Sequence, residues 1–521
     1  MVRRLLGILA LVAVIAVMAT CLAPTAHASS DAGGQAVSGE AHGGEPAAAA
    51  EGHGAAAAEG HGEAMAAGHG EGGGLHHQAE EIGKELGGLW VVPFACMLLS
   101  IAILPLAAPH FWHHHFGKVA AFWGLAFLVP FTIQHGASLA AYVVVHTALL
   151  EYIPFLILLF ALFTIAGGVC LTGSLVGRPI VNVVILAIGT VLASWMGTTG
   201  AAMLLIRPLL RANAHRKFKV HTVVFFIFLV ANIGGSLTPL GDPPLFLGFL
   251  KGVSFFWTTV HLFVPMAFLA VLLLCVYFIL DTMLFGKEGK PIPPNAGSEK
   301  LRLEGSFNLV LLGGVIGGVL MSGMWNPGVG FDVYHVHVDL QNLMRDLILL
   351  LLALISMKTT SAATREKNEF DWFPIIEVAK LFAGIFVSMI PAIAILRAGE
   401  HGALSGIIAL VTKDGQPVNE MYFWLTGALS SFLDNAPTYL VFFNTAGGDA
   451  HYLMEHVHTL MAISAGAVFM GANTYIGNAP NFMVRSIAES GGVKMPSFFG
   501  YMAWSVGILV PCFVLVTFLF I

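Results

Sequence analysis

One short stretch occurs twice in this chain, and each time it interrupts a long apolar segment with helix-breaking and polar residues. The copies read GGSLTPLGDPPLF at 234–246 and MGANTYIGNAPNF at 470–482, and they lie 236 residues apart. In an ungapped alignment Asp242 of the first copy falls on Asn478 of the second. Hydrocarbon tolerates such interruptions only where the backbone lines a cavity. Paired interruptions are typical of the binding site of a secondary transporter.

Two further pairs of features support an internal repeat. Polar, small-residue tips at 194–201 and 431–438 lie 237 residues apart, and Ser254-Phe-Phe returns as Ser497-Phe-Phe after 243 residues. Three matched features in the same order predict two tandem halves. We place membrane repeat 1 at 87–284, a cytoplasmic linker at 285–306 and membrane repeat 2 at 307–521.

The composition assigns the chain to the membrane. Of its 521 residues 57% are hydrophobic and only 10% are charged, whereas soluble proteins average about 25% charged residues. This length accommodates about ten spans of roughly 20 residues each. A net charge of −6 gives no reason to expect a nucleic-acid partner.

The amino-terminal 86 residues differ from the rest. Residues 1–28 combine Arg3 and Arg4, an apolar run and Ala26-His27-Ala28, which predicts a cleaved signal peptide, with an uncleaved first helix as the alternative. Residues 29–86 are rich in Ala, Gly, His and Glu, and we expect them to be a disordered periplasmic segment. A weak transition-metal site is one interpretation, and a solvated spacer is the other; the candidate ligands are His53, His61, His69, His76 and His77.

The apolar segments predict an all-α polytopic membrane protein. The two segments with polar tips, 180–211 and 420–446, are interpreted as re-entrant hairpins, and 220–250 and 458–486 as broken helices. Each half then has five transmembrane helices and one re-entrant hairpin.

Basic residues predict the orientation. With the mature amino terminus in the periplasm of a bacterial inner membrane, the clusters at 110–118, 207–219, 287–302 and 358–367 all fall on the cytoplasmic side. Because five is odd, the second half enters the membrane upside down relative to the first. Alternating access uses such an inverted repeat.

Two acids, Asp242 and Asp434, lie deep in predicted spans. An ionised carboxylate there costs at least a few kcal/mol and needs a partner. A proton or Na⁺ would each neutralise it, and a group that holds one or the other is the minimum that an antiporter requires. As an alternative, each Asp caps the half-helix that follows it. The predicted ion-binding residues are Asp242, Asp434, Asn435, Asn473, Thr474, Asn478, Thr198, Thr199, Ser236 and Thr238.

The same residues carry a family resemblance. The run Asn232-Ile-Gly-Gly-Ser-Leu-Thr-Pro-Leu-Gly-Asp-Pro-Pro and the tip Leu433-Asp-Asn-Ala-Pro-Thr resemble the ion transporter superfamily. This superfamily includes NhaD-type sodium/proton antiporters, arsenite permeases, and citrate and dicarboxylate carriers. The similarity covers about 88–521 and implies a homodimer in which a transport domain moves against a scaffold. Gly241-Asp-Pro-Pro and Leu433-Asp-Asn are closer to the antiporter and arsenite branches, whereas Gly197-Thr-Thr-Gly resembles the carboxylate carriers.

These observations predict Na⁺(Li⁺)/H⁺ antiport by alternating access, with the intramembrane Asp residues exchanging proton and cation. A Na⁺- or H⁺-coupled citrate or dicarboxylate carrier is the alternative. In a third hypothesis, the membrane part only anchors a metal-handling or sensor segment. The sequence carries no motif for a nucleotide, a zinc protease or a nucleophile elbow, so we expect no enzyme and no cofactor besides the transported ions.

Overall fold

A computed structural model describes residues 71–291 and 300–521. The helices of the first half run as follows: α1 Glu71–Glu85, α2 Val92–Ala107, α3 Pro109–His135, α4 Ala137–Thr147, α5 Ile153–Ala166, α6 Pro179–Met196, α7 Thr198–Ala212, α8 Val220–Leu229, α9 Pro243–Leu250 and α10 Trp257–Lys287. A π-helical turn, Ala148–Tyr152, makes α4 and α5 one continuous rod.

The second half repeats the pattern of long, paired and broken helices. Its helices are α11 Phe307–Met324, α12 Leu340–Thr359, α13 Ala362–Lys367, α14 Phe373–Arg397, α15 Ser405–Val411, α16 Asn419–Phe432, α17 Asn435–Thr445, α18 Ala450–Glu455, α19 Val457–Met470, α20 Ala479–Ser490 and α21 Phe498–Phe520. Ten helices of the described part are long and apolar enough to cross a membrane, which confirms the all-α polytopic class.

Strands are confined to three antiparallel ribbons of two strands in the described ranges. These are β1 Cys170–Thr172 with β2 Arg302–Glu304, β3 Gly330–Val333 with β4 Val336–Asp339, and β5 Thr412–Lys413 with β6 Gln416–Pro417. In the first ribbon Cys170 pairs with Glu304 and Thr172 with Arg302. This ribbon joins the loop before α6 to the predicted cytoplasmic linker.

The paired helices and the broken helices form the centre of the molecule. The chain turns at Gly197 between α6 and α7, and at Leu433 and Asp434 between α16 and α17. In each pair the two helices pack against each other. The broken helices are α8 and α9 around residues 230–242 and α19 and α20 around residues 471–478, and every residue of α8 except Val220 is buried.

Where a hairpin helix crosses a broken helix, close packing needs a small residue. In the first half this residue is on the hairpin helix, and in the second half it is on the broken helix. A Cβ on Gly189 of α6 would lie 2.7 Å from Val230. In the second half the glycine is Gly466, at the position of Val230, and its Cβ would lie 3.2 Å from Thr426, at the position of Gly189. Small residues let helix backbones approach closely inside a membrane, where lipid is as apolar as the core.

The helix α1 corrects part of one prediction. Residues 71–85 are helical and not disordered, because Ile82 and Leu86 are buried against other helices, at 6% and 3% exposure. At Gly83 an added Cβ would lie 2.0 Å from the carbonyl oxygen of Ala394 in α14, so the two backbones are in direct contact. The predicted signal peptide and residues 29–70 lie outside the described residues.

Candidate functional site

The two unwound segments are held by the same hydrogen bonds in both halves. Thr238 Oγ1 donates to the carbonyl of Ser194, and Thr474 Oγ1 donates to the carbonyl of Ser431. Each threonine also accepts from a backbone N–H two residues on, at 3.2 Å in both copies. Backbone groups in an unwound segment lose their hydrogen-bond partners within the helix, and these bonds provide new partners for them.

The serines at the hairpins complete this duplicated framework. Ser194 Oγ donates to the carbonyl of Gly234 at 2.5 Å, and Ser431 Oγ donates to the equivalent carbonyl, that of Met470, at 3.0 Å. The carbonyl of Asn473 accepts from Ser505 on α21 at 2.7 Å. Its counterpart in the first copy, the carbonyl of Leu237, accepts from Thr258 and Thr259 on α10 at 3.0 and 2.5 Å.

Two glycines close the loops at equivalent places. A Cβ on Gly241 would lie 2.1 Å from the carbonyl oxygen of Gly235, and a Cβ on Gly477 would lie 2.6 Å from that of Gly471. Real Cβ atoms do not come this close to backbone, so each position requires glycine. This explains two of the residues that match between the copies.

The two broken helices are bonded to each other by asparagine side chains. Asn232 Nδ2 donates to Asn481 Oδ1 at 2.7 Å, and Asn478 Nδ2 donates to the carbonyl of Ala231 at 3.1 Å. Asn232 and Asn481 are fully buried. The sequence prediction did not include them, although each is a polar amide deep in an apolar segment, as the predicted Asn435 and Asn478 are.

Asp242 lies where all four polar elements meet. Its Oδ1 accepts from Thr198 Oγ1 at 3.0 Å and from Asn478 Nδ2 at 3.0 Å, and its Oδ2 accepts from Asn435 Nδ2. The residue is 2% exposed. One donor comes from each hairpin and one from the opposite broken helix, so both halves build this contact.

Asp242 lies apart from the basic side chains that the structure describes. In the part of the chain that the structure describes, no Lys, Arg or His forms an ion pair with Asp242 or Asp434. Its side chain also makes no capping bond to α9, although it occupies the N-cap position. The capping alternative therefore does not describe the contacts of Asp242.

Asp434 has a different environment. Its Oδ1 accepts from the backbone N–H of Ala436 at 3.1 Å, which makes it the cap of α17, and the residue is partly exposed. No direct hydrogen bond joins it to Asp242 among the described contacts. The capping geometry that was the alternative for both acids is thus present at Asp434 only.

Two asparagine oxygens, one at the second hairpin tip and one in the second unwound segment, have no hydrogen-bond partner among the described residues. Asn435 Oδ1 and Asn473 Oδ1 are both buried and unpaired. Their amide nitrogens are used, since Asn473 Nδ2 donates to Ser431 Oγ at 2.9 Å and Asn435 Nδ2 donates to Asp242. A buried acceptor without a donor costs about 1–3 kcal/mol, which a bound cation would recover.

The other predicted residues at the hairpin tips and in the unwound segments have separate surroundings. Thr199 lies half-buried in the first turn of α7, next to Thr198. Ser236 turns back to the carbonyl of Ile233 at 2.9 Å, while Thr238 and Thr474 belong to the framework described above. The structure therefore brings Asp242, Thr198, Asn435 and Asn478 into direct contact and leaves Ser236 in a local turn.

The four half-helices α7, α9, α17 and α20 all begin at this site. The end of α9, at Lys251, pairs with Glu151, and Asn444 near the end of α17 accepts from Arg397 Nε at 2.8 Å. Glu151 and Arg397 both line one cavity of about 500 Å³, together with Glu80, His146 and Asp449. At 1.5 Å per residue, α9 and α17 are about 12 and 16 Å long, so each ends that far from its start at the site.

The ends of the other two half-helices lie together elsewhere. A Cβ on Gly491, which follows α20, would lie 3.4 Å from Leu210 near the end of α7. In this region Arg207 Nη2 of α7 donates to Glu369 at 3.0 Å, and Glu369 lies just before the start of α14 at Phe373. Arg397, which contacts the end of α17, is the last residue of α14. The helices α7 and α17 thus end near opposite ends of α14.

The histidine positions provide no metal site within the described ranges. His76 lies 3.6 Å from Glu80, both side chains are well exposed, and no group of three or more His, Cys, Asp or Glu side chains there could hold a metal ion. His53, His61 and His69 lie outside the described residues. The metal interpretation therefore stays a prediction for that segment.

Comparison with known proteins gives the family. A family model described as "Putative citrate transport" matches residues 83–521. The chain belongs to this family. No curated protein matches the chain. The family and the ten apolar helices together make this a multi-pass secondary transporter.

Proposed function

We propose that this member of the citrate transport family is a Na⁺(Li⁺)/H⁺ antiporter in which Asp242 exchanges proton and cation. The observation that carries the proposal is a buried carboxylate with three neutral donors from both halves and no basic partner among the described residues. An isolated charge in this environment costs several kcal/mol. Either a proton or a monovalent cation removes that cost, and one carboxylate binds only one of them at a time.

Oxygen ligands for Na⁺ are available in the hairpin tips and in the second unwound segment, and one of them belongs to Asn435, which contacts Asp242. Asn435 Oδ1 and Asn473 Oδ1 are buried and unpaired, and oxygen atoms suit hard cations. Asp434 Oδ2 and Thr199 Oγ1 are further oxygens at the two hairpin tips. We assign Asp434 a second role as the cap that fixes the start of α17, on the basis of its bond to Ala436.

The arrangement of half-helices supports alternating access by an inverted repeat. From the common site, α9 and α17 lead to the cavity at Glu151 and Arg397, while α7 and α20 end together near Leu210 and Gly491. Equivalent half-helices of the two repeats therefore lead away in different directions. The basic residues predict that α7 and α20 end on the cytoplasmic side of the membrane.

A cation-coupled citrate carrier is the second candidate, and the family description favours it. Four helix N-termini meet at the site, and each favours an anion nearby. The charge of Asp242 argues against a citrate carrier, because this carboxylate would repel a citrate anion beside it unless a proton or Na⁺ first neutralised the carboxylate. No Lys or Arg of the described residues pairs with Asp242 to offset that repulsion.

Proteoliposome flux separates the two functions. Vesicles with a preset pH gradient and an internal pH dye receive external Na⁺, Li⁺ or K⁺ in the absence of any carboxylate. Antiport predicts that Na⁺ and Li⁺ dissipate the gradient and that Asn473→Ala weakens the apparent Na⁺ affinity. The proposal fails if the gradient changes only when citrate is present, or if labelled citrate accumulates in a Na⁺-dependent manner.

A further inference from the structure

A groove outside the Asp242 site runs along the outer face of α2 and α3. It measures about 460 Å³, and its walls include Leu104, Phe111, Val119 and Phe122. His115 and Lys118 also line it. The helix α14 packs against α3 and α2, yet the span of α2 is only 17% buried and that of α3 only 28% buried.

The groove continues as one face of α3. Phe111, His115, Lys118, Phe122, Leu125, Val129 and Ile133 recur every three or four residues and so share one side of the helix. Phe122 is 61% exposed and Ile133 is 81% exposed. From Phe111 to Ile133 the face extends about 33 Å, close to the thickness of a bilayer core at about 30 Å. One end is basic and the remainder is apolar.

No acidic side chain of the described ranges pairs with the positive charge at that end. Neither α2 nor α3 contains an Asp or Glu, and Lys118 takes part in no ion pair among the described residues. The flank toward α14 adds Lys380, whose side chain would lie 3.0 Å from a Cβ on Gly117. Glu377 of α14 forms no ion pair with either lysine in this part of the structure.

We infer that this groove binds an anionic phospholipid, with the phosphate at Lys118 and His115 and an acyl chain along Phe122, Leu125, Val129 and Ile133. Basic pockets between membrane helices select anionic head groups, because each Lys or Arg near the surface contributes about 1 kcal/mol. Trp123 is held in place at the groove by its bond to Ser100 Oγ at 3.0 Å. The basic residues predict the cytoplasmic leaflet.

A second copy of the chain fits this face less well than a lipid. Two-fold partners in a membrane share one orientation, so Lys118 and His115 of one copy would meet the same residues of the other at the same depth. Like charges in a low-dielectric interface repel, and α3 offers no acid to separate them. The charge pattern therefore favours an anionic molecule over self-association here.

Native mass spectrometry of the full-length protein in detergent tests the inference, with phosphatidylglycerol and phosphatidylcholine as probes. We expect selective retention of phosphatidylglycerol, and about a fivefold weaker affinity in Lys118→Ala, since 1.4 kcal/mol corresponds to a tenfold change. Lys118→Arg keeps the charge and should retain binding. Lys287→Ala, at an exposed helix end, is the matched control.

Four outcomes would overturn the inference, and the first three concern lipid binding. These are equal retention of the two lipids, unchanged phosphatidylglycerol binding in Lys118→Ala, and competition by inorganic phosphate alone. A fourth is efficient disulfide cross-linking of Phe122→Cys between two chains in liposomes, because it would assign the face to a second copy. All the variants lie on exposed positions, and a monodisperse elution profile confirms that each remains folded.

Discussion

The two broken helices share one framework and differ in one functional group. Thr238 and Thr474 make equivalent bonds to their hairpins, yet the residue that starts the next half-helix is Asp242 in one copy and Asn478 in the other. The two side chains are hydrogen-bonded to each other at 3.0 Å. The same framework bonds thus occur in both halves, while the carboxylate at this position occurs in the first copy only.

The largest expected effect comes from making the first copy like the second. Asp242→Asn preserves shape and removes the charge, so we expect Na⁺-driven proton flux to fall by about 100-fold or more, the loss of roughly 3 kcal/mol or more of cation stabilisation. Proteoliposome flux measures it. Because the removed group is a costly buried charge, thermal stability should not fall.

The exchange Asp242→Asn with Asn478→Asp sharpens this test. It keeps one carboxylate and one amide in contact but moves the charge to the other copy. We expect flux to stay low, since Asn435 and Thr198 bond to position 242 and not to position 478. Recovery of wild-type flux would break the distinction between the two copies.

The hairpin tips come next, because Thr198 and Asn435 occupy equivalent positions and both bond to Asp242. Asn435 also carries a buried oxygen without a partner, which Thr198 lacks. A hydrogen bond to a charged group contributes about 1.5–3 kcal/mol, so either loss weakens apparent Na⁺ affinity by about tenfold or more. We expect Asn435→Ala to weaken the apparent Na⁺ affinity more than Thr198→Val does, and Thr198→Ser, which keeps the hydroxyl, is the control. An equal loss of affinity in the first two variants would argue against Asn435 as a cation ligand.

A smaller effect is expected for the second acid. Asp434→Ser keeps a capping oxygen for the N–H of Ala436 while it removes the charge. We expect a smaller loss of flux than in Asp242→Asn. Asp434→Ala removes the cap as well and should cost about 1 kcal/mol of stability, measured by denaturant unfolding in mixed micelles. A loss of flux in Asp434→Ser as large as in Asp242→Asn would make the two acids equivalent exchange groups.

The smallest difference is expected where the copies agree. Thr238→Val and Thr474→Val each remove the same pair of framework bonds, so each should lower the free energy of unfolding by about 1–3 kcal/mol. Unfolding in mixed micelles compares the two variants directly. A difference of more than about 1 kcal/mol would show that one half bears more of the stability than the other.

Much of this organisation is readable from the residues. The glycines at 241 and 477 recur because a Cβ would collide with backbone, and the hydroxyls at 238 and 474 recur because freed carbonyls need donors. These requirements are local, so they leave a pattern in the chain. Helix α1 was missed because Ile82 and Leu86 are isolated apolar residues in a polar segment, and only their contact partners make them a buried face.

The sequence by itself determined that this chain crosses the membrane with about ten apolar helices, that it contains a repeat, and that two acids lie in its interrupted segments. Hydrophobicity, helix-breaking residues and spacing are properties of short stretches. Only the tertiary structure decided that Asp242 receives donors from both halves while Asp434 caps its own helix. The reason is physical: an Asp side chain caps its own helix or accepts bonds from distant elements according to which donors lie within about 3 Å, and the donors to Asp242 come from residues up to 236 positions away.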